Sequence, residues 1–253
     1  MTRTRVPLAA SSEVMALLRE TGLAHVRVPA ERTAFTAAAR RLLAAFPHPD
    51  AGADGVTVLR PRPDGRDPGR AGFTQEALLA HTERAGVPVP PHLMLLACVR
   101  PGSSGGLTTL VDGEKVFSFL CERAPQAATV LSSRGAAYFG GATGHAGAVF
   151  ERTSEGRWTI RLRLDELARF SPRAEPHLPE LLDAIKACTT MHPLAAGEGV
   201  LLDNTRWLHG RQPFHGNRVM WRVLGAPITP LARGFYASWA YSTPMLLDAK
   251  PEK

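Results

Sequence analysis

The stretch Gly72-Phe73-Thr74-Gln75-Glu76-Ala77-Leu78-Leu79-Ala80-His81-Thr82-Glu83 ends in a histidine and a carboxylate two residues apart. On an extended backbone such residues point the same way, so the His81 imidazole and the Glu83 carboxylate can converge on one point. A second histidine stands far downstream in Leu201-Leu202-Asp203-Asn204-Thr205-Arg206-Trp207-Leu208-His209-Gly210-Arg211, where an apolar run breaks into polar residues around His209. Two histidines and one carboxylate on one face form the triad that holds non-haem Fe(II) while leaving coordination positions open. A lone His-x-Glu is common by chance, so the weight falls on what accompanies it.

Two segments accompany it. Gly105-Gly106-Leu107-Thr108 brings Thr108 to a position 27 residues after His81, and Arg218 and Arg222 follow His209 in Asn217-Arg218-Val219-Met220-Trp221-Arg222. The set His-x-Glu, Gly-Gly-x-Thr, distal His and Arg-x-x-x-Arg resembles the taurine dioxygenase and clavaminate synthase-like family of Fe(II)/2-oxoglutarate-dependent oxygenases, over roughly residues 72 to 225. The resemblance implies a double-stranded β-helix, the jelly-roll form, with His81, Glu83 and His209 on Fe(II). Thr108 and Arg218 would then bind the far carboxylate of the cosubstrate 2-oxoglutarate, with O2 as oxidant. A bidentate guanidinium with one added hydroxyl suits such a carboxylate.

Composition is that of an ordinary globular protein, and several short strands with helices gathered between them suit the mainly β fold with flanking helices that the resemblance implies. The 253 residues fit one domain, 1–253; 44% are hydrophobic and 21% charged, which excludes disorder. Gly 23 and Pro 21 predict many turns. The net charge of +7 is spread along the chain without an aromatic and basic module, which argues against nucleic acid as a partner. Cys98, Cys121 and Cys188 are odd in number and sit in apolar or helical contexts, as reduced thiols of a cytoplasmic protein do. No apolar run has the length of a membrane span, so no membrane association is expected.

Along the chain, Ser11 or Ser12 is expected to cap a helix that Gly22 ends, and Ala24–Val28 alternates as a half-buried strand. Phe35, Ala38, Ala39, Leu42, Leu43 and Phe46 share one stripe of a helix over 31–46. Leu93–Arg100 is a continuous apolar run, the mark of a strand buried on both faces. Asp112 is placed to cap a helix over 114–122, and another begins near Pro125. Residues 136–147 read as a glycine-rich hairpin, and 148–163 as a second hairpin in which Arg161 and Arg163 share a face. The helix 178–188 turns Leu181, Leu182, Ile185 and Cys188 inward, with His177 and His192 as surface caps. The last 25 residues hold enough apolar side chains to dock on the core or on a partner. There is no internal repeat and no strand-helix alternation of Rossmann type.

The loops 60–75 and 140–165 flank the expected site and read as lids. Arg163, Arg222 and Asp203 are the candidate substrate contacts, and Arg222 can alternatively be an ion-pair partner. The activity the resemblance implies is oxidation, by hydroxylation, of an unactivated C–H of a small amino-acid-like molecule or metabolite derived from one, in secondary metabolism. Desaturation or ring closure are alternative outcomes on the same cofactors. Retention of the Glu83 carboxylate disfavours halogenation, for which relatives carry a small residue there. Two other classes stay open: a zinc hydrolase, for which no second Glu stands ready as general base, and a non-catalytic binding protein on this fold.

Overall fold

The computed structural model describes residues 4–237. Two β-sheets face each other, and helices cover both outer surfaces. The larger sheet runs in the order Val6–Pro7, Leu23–Arg27, Glu198–Asp203, Leu93–Arg100, Val219–Pro227 and Leu43–Ala45, with Thr57–Leu59 also on the 219–227 strand. The smaller runs Thr189–His192, Thr108–Asp112, Trp207–Arg211 and Leu78–His81. This is the jelly-roll architecture expected, mainly β with flanking helices.

The period-two alternation of strand side chains explains the layers. In the central strand, Met94, Leu96 and Cys98 point into the core between the sheets, where they meet Leu110, Leu202 and Met220. Leu93, Leu95 and Ala97 point outward, under helices α1 (Ser11–Thr21) and α2 (Arg32–Arg40) through Val14, Leu18, Phe35 and Ala38. The continuous apolar run of 93–98 therefore has cover on both faces. Behind the smaller sheet, Val111 and Leu208 pack on α3 (Gly113–Arg123), α4 (Pro125–Leu131) and α5 (Leu178–Cys188). Asp112 caps α3 by accepting from the Glu114 amide at 3.1 Å. Among the described residues no helix is long and apolar enough to cross a membrane.

Several local expectations change. Neither serine caps α1: its N-cap is Ala10 and no side chain bonds there, although Gly22 does end it at φ +70°. The helix expected over 31–46 stops at Arg40, because Leu43–Ala45 is drawn into antiparallel pairing with Gly225–Pro227, a partner that helical periodicity cannot reveal. The second hairpin keeps strands Phe150–Arg152 and Trp158–Ile160, but Arg161 and Arg163 lie beyond its end. Leu182 is 47% exposed, and Leu181, Ala184 and Ile185 form the inner face of α5. His192 is buried rather than a surface cap, on a strand residue paired with Thr108, its ring 5.1 Å from that of His25. The apolar side chains from Trp239 onward lie outside the described residues.

Candidate active site

Strand register builds the site. The 207–211 strand lies antiparallel to both 78–81 and 108–112, with His209 directly across from His81 and Arg211 across from Thr108. Alternation turns Leu208 to the helical side, so His209 and Arg211 face the interior. On the neighbouring strand Val111 points to the helices and Leu110 inward, which carries Thr108 to the inner face as well. Strand 219–227 directs Met220 and Leu224 inward, and Arg222 with them.

His81, Glu83 and His209 offer ligand atoms that all lie within 4.8 Å of one another. Their ring centroids place the two imidazoles 4.3 Å apart. The His81 Nδ1 is 2.8 Å from the Leu79 carbonyl, which only accepts, so Nδ1 carries the proton and Nε2 is left for a metal. Glu83 sits just past the end of its strand rather than within it. Its backbone is gripped by Asn204: the side-chain oxygen accepts from the Glu83 amide at 2.7 Å, and the side-chain nitrogen donates to the Glu83 and Pro91 carbonyls at 3.1 and 2.9 Å. Arg222 donates to Glu83 Oε1 at 2.7 Å, and His209 Nε2 lies 3.4 Å from the same oxygen. No protein partner among the described residues takes Oε2.

Electrostatics keep this donor set ready. Burial, then the His209 charge, pushes the His81 pKa down to about 4, so the ring is neutral near pH 7. Burial works to raise the Glu83 pKa, but Arg222 and the two histidines outweigh it and hold the carboxyl well below its usual range. A neutral imidazole and an ionised carboxylate are the forms that bind a divalent cation. Two imidazoles and a carboxylate suit iron, and the surroundings suit a dicarboxylate cosubstrate. Among the described residues the buried Thr108 hydroxyl has no hydrogen-bond partner, and Arg218, 7% exposed, has no acid to pair with. Both line the same cavity as the triad, about 740 Å³ in volume. The Gly-Gly of the motif has a steric cause. Gly105 and Gly106 take φ +70° and +73°; a Cβ on Gly105 would lie 2.3 Å from the Pro213 carbonyl, and one on Gly106 3.2 Å from the Arg218 side chain.

The candidate substrate contacts separate. Arg222 lines the cavity but is held by Glu83, with His48 Nε2 3.1 Å from it. Arg163 lines it too, bound to Asp165 at 2.7 Å. Asp203 does not reach the wall: it is buried, accepts from the Thr205 amide and hydroxyl and the Gly234 amide, and faces His92, so it is a structural clamp. The loop arginines Arg62 and Arg70 are drawn together by Asp50 at 3.2 and 2.8 Å, and Arg62 lies 4.1 Å over the Phe73 ring. The stretch 60–75 meets the far side where Gly69 donates its amide to Glu166 at 2.9 Å. Asn204 and His48 are positioning residues that motif spacing does not mark. The polar break after Leu202 was the available signal for Asn204. Nothing in the sequence singles out His48.

The profile of the family described as taurine catabolism dioxygenase TauD, TfdA family matches residues 6–224. Human gamma-butyrobetaine dioxygenase is 26% identical over 191 residues, 68% of this chain and 47% of that protein, so the chain spans about half the length of this curated relative. Among solved structures, an asparagine oxygenase bound to Fe(II), hydroxyasparagine and succinate superposes with a TM-score of 0.68 at 17% identity, covering 87% of this chain and 79% of the other. The non-haem iron oxygenase OrfP, bound to Fe and alpha-ketoglutaric acid, gives 0.61 at 15% identity, covering 86% and 78%.

Proposed function

The chain belongs to the taurine catabolism dioxygenase TauD, TfdA family, and from that premise we propose that it is an iron(II)- and 2-oxoglutarate-dependent dioxygenase hydroxylating an amino acid or a metabolite derived from one. The observation that carries this reading is the meeting, in one cavity, of the His81, Glu83 and His209 donors with the unpaired Arg218 and the unpartnered Thr108 hydroxyl. Bound iron with 2-oxoglutarate and O2 supplies oxidation of an unactivated C–H, the keto acid leaving as succinate and carbon dioxide.

The protein's own part is binding and position. His81, Glu83 and His209 would hold the metal, while Arg222 binds the Glu83 Oε1 and so orients the carboxylate. Arg218 and Thr108 hold the remote carboxylate of the cosubstrate. The 60–75 and 140–165 segments act as lids that keep water from the cavity. Asp50, Asp165 and Glu166, the other carboxylates on the wall, are each bound to an arginine or an amide, leaving none as the general base a zinc hydrolase needs. An amino-acid-like substrate is supported by the hydroxyasparagine and arginine-derived ligands of the similar structures. The partner is thus a small molecule rather than nucleic acid. Three free cysteines support a cytoplasmic location.

Anaerobic addition of Fe(II) and then 2-oxoglutarate should produce a weak visible charge-transfer band that a zinc site lacks. A panel of amino acids should then reveal substrate-dependent succinate formation, and the product mass separates hydroxylation from desaturation or ring closure. Absence of both the band and succinate sinks the proposal.

A further inference from the structure

Six arginines line the cavity: Arg70, Arg84, Arg163, Arg211, Arg218 and Arg222. Four are held by the protein. Arg70 pairs with Asp50 and Asp64, Arg163 with Asp165, and Arg222 with Glu83, while Arg211 donates to the Thr74 and Glu76 carbonyls. Arg218 belongs with Thr108 to the cosubstrate. That leaves Arg84, whose side chain has no hydrogen bond or ion pair with any described residue and whose Nε is buried.

Its backbone is equally unusual. Arg84 is the one described non-glycine residue with positive φ, at 56°. L side chains visit that region rarely, and such residues persist where the surroundings impose them. Here the surroundings do so from both sides. Asn204 grips the Glu83 peptide on one flank, and Arg161 donates to the Ala85 and Val87 carbonyls at 3.0 and 2.7 Å on the other. The turn thus holds, at the residue next to Glu83, a guanidinium that no described residue neutralises.

We infer that Arg84 is a specificity-determining residue that receives a carboxylate of the substrate. With the wall's carboxylates all partnered and Arg211 tied to backbone carbonyls, the guanidiniums of the cavity left with no protein partner among the described residues are two. Arg218 answers the cosubstrate and Arg84 a second carboxylate, so the substrate is an acid held by its carboxylate beside the metal. This deepens the oxygenase reading and rests on it.

The test is Arg84→Met, with Arg84→Lys as the charge-conserving control, in the full chain loaded anaerobically with Fe(II) and 2-oxoglutarate. The probes are the proteinogenic amino acids and their matched carboxamides, read by thermal shift and, on admitting air, by succinate. Wild type should favour at least one acid over its amide. Arg84→Met should weaken that acid about 10- to 150-fold, the range for charge-assisted hydrogen bonds. Arg84→Lys should recover part of the loss, and the 2-oxoglutarate-induced shift should be unchanged in both. The inference is overturned if no acid is favoured over its amide, if Arg84→Met leaves the preference intact, or if it abolishes the 2-oxoglutarate shift instead. Failure of the wild type to respond to 2-oxoglutarate would sink the oxygenase reading itself, a separate result.

Discussion

Replacing Arg218 with methionine should leave the stability of the ligand-free protein close to that of the parent, and take away most of its response to 2-oxoglutarate. The guanidinium is 7% exposed, burial pushes its pKa down, and no carboxylate among the described residues pairs with it. An ion taken out of water without a counter-ion carries a penalty of several kcal/mol, whereas methionine keeps an apolar stem of similar length while giving up only the 5.6 Å contact of the guanidinium with the Phe214 ring. Ligand-free Arg218→Met should therefore fall between about 1 kcal/mol less and about 2 kcal/mol more stable than the parent. With cosubstrate the sign reverses. Truncating one partner of a buried, hydrogen-bonded charge pair costs about 2–5 kcal/mol of binding, or roughly 30- to 5,000-fold in Kd. At 100 times its Kd, 2-oxoglutarate stabilises the parent by about 2.7 kcal/mol, which in a domain of this size raises Tm by about 5–11 °C. At the same concentration the variant should gain less than about 1 kcal/mol. Anaerobic thermal melts with Fe(II), with and without 2-oxoglutarate, read both effects. An undiminished shift, or a ligand-free variant destabilised by more than about 2 kcal/mol, would refute the assignment of Arg218 as a cation awaiting an anion.

Three further outcomes follow from the geometry. Asn204→Ala removes the clamp on the Glu83 peptide and leaves buried groups unpaired, so it should lower stability by about 2–4 kcal/mol in denaturant melts and weaken Mn(II) or Fe(II) affinity together with it; a variant with normal metal affinity would show that the clamp is not needed for the site. Gly106→Ala adds a Cβ at φ +73° against Phe214 and Arg218, and should raise the KM for 2-oxoglutarate more than it lowers kcat; equal affinity in a titration would count against it. Burial, then Arg222, pushes the His48 pKa down to about 4, from about 6.5 in an unfolded chain. The unfolded state then binds the extra proton between those values, so His48 costs nothing at pH 7 and destabilises the fold progressively as pH falls from about 6.5 to 4, by roughly 3 kcal/mol. His48→Gln should flatten that part of the stability-pH curve, and an unchanged slope would exclude His48 as its source.

Much of the fold was legible because its signals are local. The apolar run 93–98 needs cover on both faces, and the Asp112 cap and the glycine-rich hairpins follow from short-range chemistry. The helix of 32–40 was overrun because the strand that captures Leu43–Ala45 lies far along the chain. His81, Glu83, Thr108, His209 and Arg218, the residues proposed for metal and 2-oxoglutarate, were nameable because they form a spaced motif, and all five line one cavity.

The sequence alone, then, determined the layered β architecture and the residue types able to hold a metal and a dicarboxylate, because backbone periodicity and side-chain chemistry travel with the chain. Only the tertiary structure decided which of those groups are free. Whether an arginine ends beside Asp50, Asp165, Glu83 or no acid at all depends on what distant segments deliver to it. Asp203 became a clamp and Arg84 a bare cation for that reason. A charge acts on a ligand only when the fold has not already neutralised it.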